Sequence, residues 1–193
     1  MRDLDRREFL AGVAAVAAGA QTTSGEVSSR ATAPVSASGL GESEFRPLPI
    51  GTLRPAGCLK RQLGIQRDGL TGHLDEFWPD VGQSQWFGGT AEGWERAPYW
   101  LDGAIPLAWI LDDAPLKTRI TKYVDTIVKN QRADGWYAVY PLDAVAKRYD
   151  LWAILLANKA LAQYHELTGD ARVLTAMTKS LRALADGLDR TPL

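Results

Sequence analysis

The tract Asn130-Gln-Arg-Ala-Asp-Gly-Trp-Tyr-Ala-Val-Tyr140 joins two helical patterns of different kinds, and that difference decides the fold. Before it, Pro115 to Gln131 carries Leu116, Ile120, Tyr123, Val124 and Ile127 on one stripe, with Lys117, Thr118, Lys122 and Asp125 elsewhere. Apolar residues at that spacing describe a helix that covers something on one side only. After it, Tyr149 to Tyr164 (YDLWAILLANKALAQY) is apolar around nearly its whole circumference, as a helix buried on all sides must be.

The same alternation stands further out on both sides. Tyr99 to Leu111 (YWLDGAIPLAWIL) is apolar all round with Asp102 as its only charge, and Ala171 to Leu188 places Val173, Met177, Leu181, Leu184 and Leu188 on one face. A further helix from about Pro55 to Leu70 precedes them, with Leu59, Leu63 and Ile65 or Gln66 inward. The prediction is an all-α fold of paired inner and outer helices, part of an (α/α) helical toroid. Five helices leave it incomplete and two inner faces uncovered, an association surface that a second copy or a missing C-terminal segment would close. Glycine-acid turns with clustered aromatics between such helices are how toroids build a carbohydrate or terpenoid pocket.

Loop lengths sharpen the expectation. Leu111 to Pro115 and Glu166 to Asp170 are short, with Pro115 suited to a first helical turn, Gly169 to a helix C-cap and Asp170 to the next start. His73 to Arg96 and Arg132 to Arg148 are long, aromatic and acid-bearing, and loops of that length inside a compact domain are usually functional. Because helices alternate in direction, both long loops are expected at one end, which becomes the candidate site.

The N-terminus reads as an address. Arg6, Arg7, Phe9 and Leu10 precede a small apolar run ending Ala18-Gly19-Ala20, so residues 1–20 form a signal peptide of twin-arginine type, too short and too weakly hydrophobic to span a bilayer. Residues 21–44 are rich in Ser, Thr, Ala, Gly and Val without apolar period and read as a flexible linker. The folded part is then 45–193, about 150 residues and an ordinary size for one domain. The expected location is periplasmic or extracellular, with no membrane association after cleavage.

A formal net charge of −1 without a Lys/Arg cluster argues against nucleic acid or an anionic membrane as partner and favours a neutral one, a carbohydrate. Cys58 is the only cysteine, so no intrachain disulfide framework exists, and His73 and His165 lie too far apart in sequence to suggest a zinc ligand set. No cofactor is expected on this segment.

Candidate binding residues come from the long loops and the heads of the apolar helices. Trp86, Trp94, Trp136, Tyr137 and Tyr140 offer flat faces for sugar C–H groups, while Gln85, Glu95, Asp102 and Asp150 offer directional acceptors for hydroxyls. Asp102 and Asp150 interrupt apolar helices near their N-termini, where a carboxylate suits the helix dipole and needs a donor such as Arg96, Arg132 or Arg148. Glu95 and Asp102 are also conceivable as a glycosidase carboxylate pair, which their spacing alone does not establish. The structural alternative is that the aromatics plug the loops onto the helix ends.

Pro49-Ile-Gly-Thr-Leu-Arg-Pro-Ala-Gly57, Leu59-Lys-Arg-Gln-Leu63, Trp94 to Ala108 and Gln131-Arg-Ala-Asp-Gly-Trp136 together resemble the N-terminal part of the β-L-arabinofuranosidase family, glycoside hydrolase family 127, from about Pro47 onward. The resemblance implies a toroidal catalytic domain and retaining hydrolysis of terminal L-arabinofuranosides or related plant or bacterial glycans. It also implies a zinc-held cysteine thiolate as nucleophile and a glutamate as acid/base, both expected beyond residue 193. Cys58 sits in the first helix, where it reads as a buried small hydrophobe or a chance replacement rather than the nucleophile, so no catalytic residue is assignable in this chain. On that basis the chain would be an exported glycoside hydrolase fragment, inactive alone, with zinc belonging to a full-length protein.

Two other readings stay open. One is a non-catalytic exported helical domain that binds a glycan or a partner protein. The other is a terpenoid cyclase-like toroid, since Gln131 to Trp136 satisfies the Q-x-x-D-G-x-aromatic turn that stabilises such barrels, although no Asp-rich motif accompanies it.

Overall fold

The structure is a computed structural model that describes residues 45, 48–139 and 151–190. The chain divides at Arg46, and the elements below all belong to the second unit, Pro47–Leu193. The signal residues Arg6, Arg7, Phe9 and Leu10, the linker, Tyr140 and Asp150 lie outside the described residues.

The fold is all-α. In chain order the helices are α1 Gly57–Asp68, α2 Leu70–Phe77, α3 Pro79–Gly82, a 3-10 turn Gln85–Phe87, α4 Arg96–Ile110, α5 Ala114–Lys129, α6 Leu151–Thr168 and α7 Ala171–Arg190. The one extended pairing among the described residues is the isolated bridge between Ser84 and Ala91.

Local chemistry sets the helix ends. Asp113 accepts a hydrogen bond from the Leu116 N–H at 2.9 Å, and Pro115, which has no N–H to satisfy, occupies the first turn of α5. Gly169 ends α6 at φ 69°, a left-handed conformation that costs glycine little, and Asp170 then accepts from the Arg172 N–H at 3.0 Å.

α4 and α6 form the centre. Ala104, Ile105 and Ala108 of α4 and Ile154, Ala160 and Leu161 of α6 are fully buried or nearly so, and each large one contributes about 1.5–3 kcal/mol over its exposed state. The two helices run in the same direction: Tyr99 meets Trp152, Asp102 meets Lys159 and Gln163, and Trp109 meets Tyr164. α5 runs back along α4, since Lys117 sits over Trp109 while Tyr123 packs on Trp100. α5 and α7 are again in parallel register, through Asp125 with Arg172 and Gln131 with Ala176. Parallel α4 and α6 have their N-terminal ends on the same side.

Three details differ from the sequence-based expectation. The loop His73 to Arg96 holds α2, α3 and the 3-10 turn, because Gly69 ends α1 and Pro79 starts a new helical turn. α1 buries none of its residues: Leu59 and Ile65 face solvent, Leu63 alone packs on the core, and Cys58 is exposed rather than buried. On α7 the buried stripe is Val173, Ala176, Ser180, Ala183, Leu184 and Gly187, leaving Leu181 exposed. Small residues on that stripe allow the Asn130 turn to approach closely; a Cβ on Gly135 would sit 2.7 Å from the Lys179 carbonyl oxygen.

Candidate functional site

The two long loops meet. Ser84 caps the 3-10 turn by accepting from the Trp86 N–H at 3.3 Å and donates its hydroxyl to the Glu92 carbonyl at 2.9 Å, which folds residues 83–92 back on themselves. Trp86 then donates its indole N–H to the Trp94 carbonyl at 2.6 Å and meets Tyr137 of the second loop edge-on, ring centres 6.3 Å apart. Gly93 lies so close to Val139 that a Cβ would come within 2.5 Å of it. Between the loops is a cleft of about 260 Å3 whose rim carries the side chains of Gln85, Asn130 and Arg132.

The second loop is held by a strap. Gln131 donates its amide N–H groups to the Gly135 carbonyl at 2.7 Å and to the Ala176 carbonyl of α7 at 2.8 Å. Asp134 accepts from the Trp136 N–H at 2.9 Å and pairs with Arg132, while Gly135 takes φ 90°. Trp136, inside this strap, is 1 % exposed. Tyr137 is also buried, which pushes its phenol well above the usual range; its hydroxyl lies toward Ser180 without reaching hydrogen-bond geometry.

The sequence-predicted residues therefore divide. Trp86, Trp136 and Tyr137 lie at the loop junction and are buried there, and Trp86 and Tyr137 also line the cleft. Gln85 reaches the cleft rim. Trp94 keeps 38 % of its surface exposed. Glu95 is the N-cap position of α4 and opens on a separate groove beside Trp78 and Tyr99.

Asp102 does face the exposed side of α4, but its donors are not the expected arginines. Lys159 and Gln163 of α6 reach it at 2.7 and 2.6 Å, and it is four-fifths buried. Arg96 instead pairs with Glu92 at 2.6 Å over the face of Trp78, and Arg132 with Asp134. Helix register explains the swap, because parallel packing brings α6 side chains level with Asp102 while Arg96 lies nearly two turns back. Pro106 has no N–H for the Asp102 carbonyl, leaving one more acceptor on that side.

Residues not singled out beforehand complete the surface. Tyr99 and Trp152 are 46 % and 55 % exposed, with ring centres 6.4 Å apart, and Tyr99 lies one turn along α4 from Asp102, which Lys159 and Gln163 reach from further along α6. Their signal was an aromatic ring inside an otherwise uniform apolar helix. Asp75 and Glu76, by contrast, are structural: Asp75 is buried against Arg119 at 3.1 Å and the Tyr123 hydroxyl at 2.8 Å, and Glu76 pairs with His73 at 2.9 Å. His73 and then Arg119 hold the Glu76 carboxyl below its usual range, and burial, aided by Asp75, raises Tyr123 above its own. His165 bonds the Asp170 carbonyl at the end of α6.

Among the described residues no group of three or more His, Cys, Asp or Glu is placed to hold a metal ion, and no helix is long and apolar enough to cross a membrane. The described elements form an all-α domain in which α4 and α6 run parallel and share an aromatic and carboxylate-bearing surface along their length. Compared with protein-family models, curated proteins and solved structures, the chain matches none.

Proposed function

We propose that this chain is the substrate-holding part of an exported glycoside hydrolase similar to the β-L-arabinofuranosidases. In this reading α4 and α6 are inner helices of an (α/α) toroid, α5 and α7 are outer ones, and the residues of this chain hold sugar rather than cleave it. The observation that carries it is the surface on α4 and α6. Exposed Tyr99 and Trp152 offer ring faces for sugar C–H groups, and Asp102, Lys159 and Gln163 offer an acceptor and donors for hydroxyls further along the two helices. Gln85 and Trp94 extend that chemistry toward the loop junction. The paired arginines at the N-terminus support export to the periplasm or beyond.

Calorimetric titration of the full chain with a panel of oligosaccharides, including terminal L-arabinofuranosides, tests the reading. Trp152→Ala should weaken sugar binding at least tenfold without lowering the melting temperature, since the ring is half exposed. Absence of binding to every sugar would overturn it.

A second reading, a non-catalytic exported domain that docks a partner protein, draws on other residues. Leu59, Ile65, Leu70 and Phe77 are all more than half exposed on α1 and α2. Loss of partner capture in Ile65→Glu, with sugar binding absent throughout, would favour it.

A further inference from the structure

We infer that the groove between α2 and α4 is a binding site for a flat, hydroxylated aromatic ring system. The groove measures about 360 Å3, at the small end of ligand pockets and enough for one or two rings. Leu74 and Trp100 line it from the core, Trp78 and Tyr99 present aromatic surface, and Trp100 is locked in place by donating its indole N–H to the Thr71 carbonyl at 2.8 Å.

Charge selects the ligand. Arg96 at the rim is committed to Glu92 and to the face of Trp78. Glu95, its neighbour, makes no side-chain hydrogen bond or salt bridge among the described residues, though its charge adds to those acting on Arg96, and it lines the groove. An ionised carboxylate only accepts, so it favours a ligand that brings an O–H and disfavours an anion. Aromatic walls favour a flat partner in offset or edge-on packing.

Gly103 is the second, independent sign. A glycine inside a helix costs about 0.5–1 kcal/mol relative to alanine. Nothing in the described fold requires one here: its φ is not positive, and a Cβ would meet no atom within 4 Å. What the missing side chain does leave is an open end to the groove that Gly103 lines. The site goes beyond the sugar surface described above. Tyr99 belongs to both, so if the glycoside reading holds the ring is an aglycone, and only that word rests on the reading.

The test is a titration of the full 193-residue chain with 2-naphthol and, in parallel, 2-methoxynaphthalene, followed by tryptophan emission. Saturable binding of 2-naphthol, at least tenfold tighter than the ether, is expected, and Glu95→Gln should erase that preference. Gly103→Leu should weaken 2-naphthol at least tenfold while the melting temperature holds or rises. Leu70→Glu on the opposite wall, 63 % exposed, should give the same loss, so an early-melting variant leaves the other to decide. No saturable quenching, or binding unchanged in the variant that folds normally, overturns the site. Naphthol binding without binding of any sugar in the panel would sink the glycoside reading alone; the opposite pattern would sink the groove alone.

Discussion

Replacing Trp136 by alanine removes the indole from the centre of the strap that ties the second long loop to α7. The ring is 1 % exposed, and truncating a buried tryptophan typically costs about 3–5 kcal/mol in lost transfer energy and cavity. The backbone bonds of the turn, Arg132 N–H to the Trp136 carbonyl and Trp136 N–H to Asp134, do not use the ring and persist. In a domain of this size each kcal/mol lowers the midpoint by about 2–4 °C, so the fall should be on the order of 6–20 °C. Thermal melting followed by circular dichroism reads the fall, and urea unfolding reads the free-energy loss, with an unchanged slope showing that the denatured state is the same. Sugar binding measured well below the transition should change little. A stability loss under about 1 kcal/mol with sugar binding abolished would refute the assignment and move Trp136 into the site. Gln131→Ala removes two amide bonds from the same strap and should cost about 1–3 kcal/mol, less than additively with Trp136→Ala because the groups share one turn.

Gly135→Ala forces φ 90° on a residue with a Cβ and drives that Cβ to 2.7 Å from the Lys179 carbonyl, so about 1–3 kcal/mol should be lost. Gly169→Ala, at φ 69° but in open space, should cost only about 1 kcal/mol in the same urea assay. Hydrogen bonding from Arg172 holds the Asp170 carboxyl below its usual range. A depressed carboxyl contributes stability above its unfolded pKa, about 4, and loses it as pH falls through the folded value. Asp170→Asn, which keeps the helix cap, should therefore cost about 0.5–1 kcal/mol at neutral pH, and thermal melts should show the deficit shrinking as pH drops below about 4. A double-mutant cycle on Asp102 and Lys159 should return a coupling of about 0.5–1 kcal/mol, since Lys159 is largely exposed and Gln163 still donates when it is gone.

Much of the fold was legible because single residues with one physical job marked it. Pro115, and Gly169 with Asp170, marked two helix junctions, while the cap from Asp113 emerged only in the structure. The contrast between all-round and one-faced apolar patterns separated α4 and α6 from α5 and α7. Less was legible where the answer depends on a partner distant in sequence. Trp136 looks like a loop aromatic until Lys179 and Ala176 are brought against its turn. α7 turns toward Ala176, Ser180, Ala183 and Gly187 rather than toward Leu181, because close approach favours small side chains and a hydropathy reading favours large ones. Asp102 could be recognised as a carboxylate in need of a donor, yet its donors lie on α6, in a register that no local pattern encodes. Leu59 and Ile65 were read as inward from their chemistry alone, while α1 sits at the periphery with only Leu63 touching the core.

The central claim, that α4 and α6 present a sugar-holding surface, is tested most directly by a crystal structure of the chain with a terminal L-arabinofuranosyl oligosaccharide. A furanose ring against Tyr99 or Trp152, with a hydroxyl within hydrogen-bond distance of Asp102, Lys159 or Gln163, is the predicted result. Sugar seated elsewhere, or a surface left bare at saturating ligand, would contradict it.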